Sequence, residues 1–305
     1  MGAGVFSGAT TSSVIIVLEK NKEISENMIE IHMGINDIPQ LTHQSDFMNT
    51  DYVLNIKATS QDTSLLEKLS EKSINLGELC EELIFGVVIT KNREAVVSDK
   101  PLEGYKPFLE GRDISRYFIS PVEKYLLYKP ELLHRPRTSR IFEAPEKILI
   151  QRITGGTSPL KATYDNQQYY NKESINNIIL KDDSHYNTKY ILGLINSRLI
   201  NWLYINKFTN KSTLTVNLSK TYLSQIPIRT INPSDPADVA RHDKMVSLVE
   251  RMLDLNKRLP EARTDQEQTL IKRQIAATDK EIDELVYELY GLTEGERKIV
   301  EGVGE

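Results

Sequence analysis

The chain has 305 residues, 39% of them hydrophobic, with one cysteine and a formal net charge of −5. That length and apolar content support two or three structural units with real cores and exclude a disordered chain. No run of about 18 or more apolar residues and no apolar N-terminal signal core is present, which argues against a membrane span or secretion and makes the cytoplasm the expected compartment. The lone Cys80 excludes a disulfide framework and a thiolate zinc site.

In chain order, Val5–Ser12 reads as a turn into a continuous apolar strand over Ser13–Leu18, and a mixed region ends in a second expected strand at Tyr52–Ile56. Thr63 or Ser64 can cap a helix over Leu65–Ser70. Leu76, Leu79, Cys80, Leu83 and Ile84 recur at helical spacing until Gly86 stops them. Strands are expected at Val87–Ile89, Tyr125–Tyr128, Lys147–Ile153 and Ile178–Leu180, separated by Gly, Pro and Asn-rich turns. Lys189–Tyr204 returns to helix, with Ile191, Leu194, Ile195, Leu199 and Leu203 on one side.

From Asp235 the pattern is helical in another style. Met245, Leu248, Val249, Met252, Leu255 and Leu259 form one stripe that Pro260 ends. Thr264 to Glu267 is a capping box for a second helix striped by Ile271, Ile275, Ile282, Leu285, Val286 and Leu289 and closed by Gly291. Thr293 to Glu296 is a further box, opening a short helix that ends near Gly302. The fold class read from this is α+β: a twisted, mixed or antiparallel sheet domain over 61–234, an antiparallel helical hairpin over 235–305, and the remnant of another sheet over 1–60.

Charge is unevenly distributed. Gly86–Asn232 carries 22 Lys and Arg against 13 Asp and Glu, whereas the remainder carries 16 against 30. Ser184–Asn232 has no carboxylate, yet holds Lys189, Arg198, Lys207, Lys211, Lys220 and Arg229. A locally basic surface is what phosphate contact requires, and double-stranded DNA is the expected partner. The candidate DNA-binding residues are Lys91 and Arg93; Arg135, Arg137 and Arg140; Arg152, Thr154 and Lys161; and Lys207, Lys211 and Thr213. The arginines suit phosphates and guanine O6 and N7, and the glycines after Arg152 allow close backbone approach. Tyr169, Tyr170 and Trp202 could stack on bases, though aromatics at strand and helix spacing more often fill a core.

Catalytic signatures are missing. An adenine methyltransferase needs a glycine-rich cofactor loop after its first strand and an Asn/Asp-Pro-Pro-Tyr/Phe loop for the flipped base. Gly2-Ala-Gly-Val-Phe-Ser-Gly8 departs from the dinucleotide fingerprint in spacing, and Asn232-Pro-Ser-Asp-Pro236 lacks the adjacent prolines and the aromatic. Asp182 and Asp183 beside Lys181 lack nuclease spacing, and His32, His43, His134, His185 and His242 are scattered, so neither catalytic residues nor a metal site is expected.

The ordered set Gly104-Tyr-Lys-Pro-Phe-Leu-Glu-Gly-Arg-Asp-Ile-Ser-Arg-Tyr117, Lys124-Tyr-Leu-Leu-Tyr128, Pro145-Glu-Lys-Ile-Leu-Ile-Gln-Arg152, Tyr190 to Trp202 and Leu223-Ser-Gln-Ile-Pro-Ile-Arg229 resembles the TaqI-like C-terminal specificity domain of type IIG restriction–modification enzymes and adenine-specific DNA methyltransferases. The resemblance covers roughly 65–301. It implies that this chain reads a DNA target without catalysing, and that S-adenosylmethionine and methylation belong to a separate, upstream methyltransferase domain. It also implies that 1–60 is the end of that domain's sheet. In the motif, Arg112 and Arg116 either brace the domain through Asp113 or Glu110 or face DNA. Two rivals stand beside this reading: an interaction or assembly module, homo-oligomeric through the helical hairpin, and a nuclease subunit dependent on a partner chain.

Overall fold

The computed structural model describes residues 16–17, 27–32, 38–44, 59–90, 93–209 and 215–302. Apart from Ile16 and Val17, the expected strands at Ser13–Leu18 and Tyr52–Ile56 lie outside the described residues, as does the glycine run Gly2–Gly8. Two compact units are present, Met1–Ser64 and Leu65–Glu305. In the first, β1 (Met28–Ile31) and β2 (Gln40–His43) pair as an antiparallel ribbon.

Helix α1 (Ser60–Glu71) starts earlier than Leu65. Thr59 sets its start: the Asp62 amide donates to Thr59 Oγ1 at 3.1 Å and the Thr59 amide donates to the Asp62 carboxylate at 2.8 Å, a reciprocal cap one turn upstream of the expected one. β3 (Ser73–Asn75) and the one-turn α2 (Leu76–Leu79) lead into β4 (Cys80–Phe85). The helix expected through Ile84 is therefore a strand for most of its length. β4 pairs with β14 (Ile175–Leu180), where Ile179 faces Glu82 but Leu180 faces Cys80. Glu81 is the extra residue of a bulge, which resets the alternation so that Cys80 and Leu83, three apart, both point inward and imitate helical spacing.

After α3 (Arg93–Val96) come β5 (Val97–Ser98), β6 (Tyr105–Leu109), the small ribbon of β7 (Ile114–Ser115) and β8 (Phe118–Ile119), and β9 (Lys124–Leu127). Then follow α4 (Ser139–Phe142), β10 (Lys147–Gln151), β11 (Ile153–Thr154), β12 (Ala162–Asp165) and β13 (Tyr170–Asn171). One sheet has the order β12-β10-β14-β4 and is antiparallel throughout; a second has the order β13-β6-β9-β5, with β13 parallel to β6. Val87–Ile89 makes only single bridges, Val87 to Lys172 and Val88 to Arg135.

The first sheet is the middle layer. Leu83, Ile148, Ile150, Ala162 and Ile178 on one face join the main core with the helices, whereas Leu149 and Ile175 on the other pack with Leu109 and Ile114. Burial on both faces explains why Ile148-Leu149-Ile150 is apolar without a break.

The helix expected over Lys189–Tyr204 is two helices, α5 (Thr188–Asn196) and α6 (Arg198–Phe208), divided at Ser197, whose hydroxyl caps α6 by accepting the Ile200 amide. Asn196 exchanges hydrogen bonds with both backbone groups of Ala162, and Asn201 accepts the Leu160 amide, so these buried amides join the helix pair to the sheet edge. β15 (Val216–Asn217) pairs with β11, and α7 (Lys220–Leu223) precedes β16 (Pro227–Arg229), which pairs with β3.

The hairpin consists of α8 (Pro236–Arg258) and α9 (Asp265–Tyr290), followed by α10 (Glu294–Glu301). Met245, Leu248, Val249, Met252 and Leu255 are buried with Ile282, Leu285, Val286 and Leu289, following the two stripes, and Thr264, Gly291 and Thr293 cap where the sequence places caps. The hairpin shares one core with α5 and the first sheet. Gly193 makes the close approach: a Cβ there would lie 2.5 Å from Met245 Sδ and 2.9 Å from Val249 Cγ2. No helix among the described residues is long and apolar enough to cross a membrane.

Candidate nucleic-acid interface

Three elements reach one end of the first sheet. β4 stops at Phe85, β10 at Gln151, and β14 begins at Ile175, with Phe85 and Ile150 both opposite Asn176. The segment 133–140 runs beside β4 in the opposite direction. Val88 donates to the Arg135 carbonyl at 3.2 Å, Arg137 Nε donates to the Phe85 carbonyl at 3.0 Å, and Arg140 pairs with Glu81 at 2.9 Å and Glu82 at 3.8 Å. The three guanidinium groups are thereby spaced along the strand. Arg140 is matched by carboxylates, whereas Arg135 and Arg137 have no carboxylate partner among the described residues.

Arg152, the residue after β10, comes to the same place. Its guanidinium carbon lies 4.7 Å from the centre of the Phe85 ring and that of Arg137 lies 4.3 Å from it, both within cation–π range. Arg152 also donates to the Glu173 carbonyl at 3.3 Å. Burial, reinforced by the neighbouring Arg135 and only partly opposed by Glu82, pushes the Arg137 pKa down from the ordinary arginine value.

The backbone beneath is tightly held. Asn171 and Asn177, both fully buried, exchange amide hydrogen bonds at 2.7 and 2.9 Å, and Asn177 donates to the Ile84 carbonyl. Gly86 passes so near that a Cβ would sit 2.1 Å from the Asn171 carbonyl oxygen. No other residue fits there.

Thr154 donates its hydroxyl to the Pro159 carbonyl at 2.8 Å, bracing the loop in which Gly156 takes φ +82. β11 pairs with β15, with Ile153 opposite Asn217 and Thr154 opposite Val216. Lys161 is half-buried after the loop. Lys207 lies 5.4 Å from the Phe208 ring, which stacks on Tyr222. Lys91, Lys211 and Thr213 lie outside the described residues.

Several other cations are structural. Glu110 is a hub for Arg93 at 2.8 Å, Lys124 at 3.1 Å, Arg112 at 3.5 Å and Lys172 at 3.8 Å. Burial opposes its ionisation, but hydrogen bonds from Lys124 and Arg93 outweigh this and hold its carboxyl below the ordinary glutamate range. Arg112 and Arg93 therefore brace the signature segment. Arg116 spans to the hairpin, donating to both oxygens of Asp279 and to the Asn196 carbonyl. Lys189 pairs with Glu250, Arg198 with Asp283 and Arg229 with Asp238, so half of the cations in the carboxylate-free segment are answered by α8 and α9. Tyr170 is core, stacked on Phe142 at 4.5 Å and donating to Glu143, while Tyr169 and Trp202 are partly buried against core clusters.

Glu110 is the brace that the motif offered for Arg112, whereas Phe85 and Lys172 were not singled out by sequence; an aromatic–glycine pair ending an apolar run was the one available signal for Phe85. Among the described residues no group of three or more His, Cys, Asp or Glu could hold a metal. Cys80 is buried, and desolvation pushes its thiol up to about 12, making it unreactive at neutral pH.

The comparisons with known proteins place the likeness of this chain among the specificity domains of restriction–modification enzymes. The DNA complex of the Type IIL restriction–modification enzyme MmeI shares the fold at a TM-score of 0.52, with 10% identity over 91% of this chain and 40% of that one. The HsdS subunit from Thermoanaerobacter tengcongensis is similar only at a TM-score of 0.36 and 12% identity, over 75% of this chain and 50% of that one, too distant to add weight. In sequence, the chain is 27% identical over 215 residues to a protein of Methanocaldococcus jannaschii named as a type II restriction enzyme and methyltransferase, RM.MjaORFECS2P. That match covers 67% of this chain but only 18% of the relative's length. Residues 106–228 match the TaqI-like C-terminal specificity domain.

Proposed function

We propose that this chain is the target-recognition portion of a site-specific adenine DNA methyltransferase or of a type IIG restriction–modification enzyme, and that it holds duplex DNA against the basic end of its first sheet. The observation that carries this is the distribution of counter-charge. Of the nine arginines between Arg93 and Arg229, six pair with carboxylates, and the three without such a partner among the described residues, Arg135, Arg137 and Arg152, gather at Phe85 and Val88. Arg135 is exposed and Arg137 and Arg152 are half-buried; a solvated surface has no need to concentrate such cations, and a polyanionic ligand supplies charge to answer them. Lys161, whose carbonyl accepts the Gln151 amide at the end of β10, adds a cation there, and Lys207 adds one on α6. Methylation, with S-adenosylmethionine, falls to a methyltransferase domain of the parent enzyme, which this chain serves by choosing the site.

A salt titration tests the reading. Two to three phosphate contacts, from Arg135, Lys161 and Lys207, predict that log Kobs falls against log salt with a slope of about −2 to −3. Failure to bind duplex DNA at low salt, or a slope near zero, would contradict it.

A further inference from the structure

We propose that Arg137 and Arg152, seated on the Phe85 ring, are a base-reading pair that recognises guanine in the major groove of the target duplex, and not a phosphate anchor. This rests on the target-recognition reading above and adds to it the residues and the base.

Three observations separate base reading from anchoring. The first is rigidity. Each guanidinium lies within 5 Å of one ring centre and donates one N–H to a backbone carbonyl, Arg137 to Phe85 and Arg152 to Glu173. A phosphate accepts donors from many directions and is served well by a flexible lysine; a base edge demands a planar fork held in one plane, and holding it beforehand removes the ordering cost from binding.

The second is what remains unused. Arg137 spends Nε and keeps both terminal nitrogens, while Arg152 spends one terminal nitrogen and keeps the other. The surplus is donors only, and neither residue makes an ion pair with a carboxylate among those described. Guanine offers two acceptors, O6 and N7, on its major-groove edge, whereas adenine and cytosine place amino donors there that would oppose the guanidinium N–H groups.

The third is the support. Phe85 sits between Ile84, whose carbonyl accepts Asn177, and Gly86, which only a glycine can occupy against Asn171. The Arg152 amide donates to the Ser174 carbonyl at 2.8 Å, tying the second arginine to the same strand end. The platform is thus fixed from three strands, as a reader that must discriminate by direction requires.

The test is selection of binding sites by the full chain from a randomised duplex library, repeated with R137K, R152K, F85L and F85Y. Lysine keeps the charge but loses the fork. Each lysine variant should lose preference for guanine at one position of the enriched site by about tenfold, the size of one bidentate base contact, while affinity for random duplex falls less than threefold. F85L should weaken both guanine preferences together, and F85Y should retain them. A wild-type site without guanine, lysine variants that return the wild-type site, or variants that lose random and selected DNA equally would overturn the pair as a reader. No enrichment by the wild-type chain would instead sink the target-recognition reading itself, and this inference with it.

Discussion

Replacing Asp165 by Asn should cost about 3–5 kcal/mol of folding stability at pH 7, because it strands a cation in the core. Lys147 and Asp165 face each other across β10 and β12, their charged atoms are 2.7 Å apart, and both side chains are fully buried. The pair is saturated: Lys147 also donates to the Phe142 carbonyl at 2.7 Å, and Asp165 accepts the amides of Gln167 and Tyr169 at 2.7 and 3.1 Å. Even so, burial holds the Lys147 pKa below the ordinary lysine value, with Asp165 opposing that shift. Asparagine preserves shape and one acceptor, so the loss isolates the charge. The ceiling follows from proton release: an unpaired ammonium can shed its proton at about 1.4 kcal/mol per pH unit below the reference lysine value of about 10.4, or roughly 4.6 kcal/mol at pH 7.

The same argument gives a sign. In the variant the unfolded chain binds a proton that the folded chain has released, so stability relative to wild type rises with pH, by up to about 1.4 kcal/mol per unit between pH 7 and 9. Urea unfolding of both proteins at the two pH values measures this, and K147M/D165N should be less destabilised than D165N. A loss under about 1 kcal/mol, or one that does not change with pH, would show that the ammonium reaches water and refute the reasoning.

Three further outcomes are expected. Desolvation raises the Asp283 carboxyl from 3.8 to about 6, although it accepts the Arg198 amide; a raised carboxylate value weakens the fold progressively from about pH 4 to 6, so D283N should flatten that part of the stability profile and gain about 2 kcal/mol at pH 7.5 in paired melts. Gly86→Ala should cost at least about 3 kcal/mol, because the added carbon meets backbone and not a movable side chain, and thermal melting would show it. The chain by itself should bind S-adenosylmethionine no better than an unrelated protein, and micromolar affinity by calorimetry would reverse the division of labour proposed between this chain and a methyltransferase domain.

The helical hairpin was legible almost residue by residue, since its two stripes and three caps are local signals that packing did not override. β4 was not, because one bulge at Glu81 turned a period of two into a spacing of three. The division of Lys189–Tyr204 was hidden as well: Ser197 reads as an ordinary helix residue until its hydroxyl caps a second helix. For the interface, composition located the arginine loops but not their fates. The carboxylates that answer Arg116, Lys189, Arg198 and Arg229 lie on helices far along the chain, and those beside Arg140 lie on β4, so regional charge overstated the free cations. Phe85 gathers Arg137 and Arg152 from segments 52 and 67 residues away, and its only sequence mark is the glycine that follows it at the end of an apolar run.

Hydrogen–deuterium exchange of the chain with and without a selected duplex tests the central claim most directly. Protection should concentrate at the basic end of the first sheet, in 85–90, 133–140, 152–161 and 173–175, and leave the solvent face of α8 and α9 unchanged. Protection confined to the hairpin, with those segments unaltered, would contradict the account.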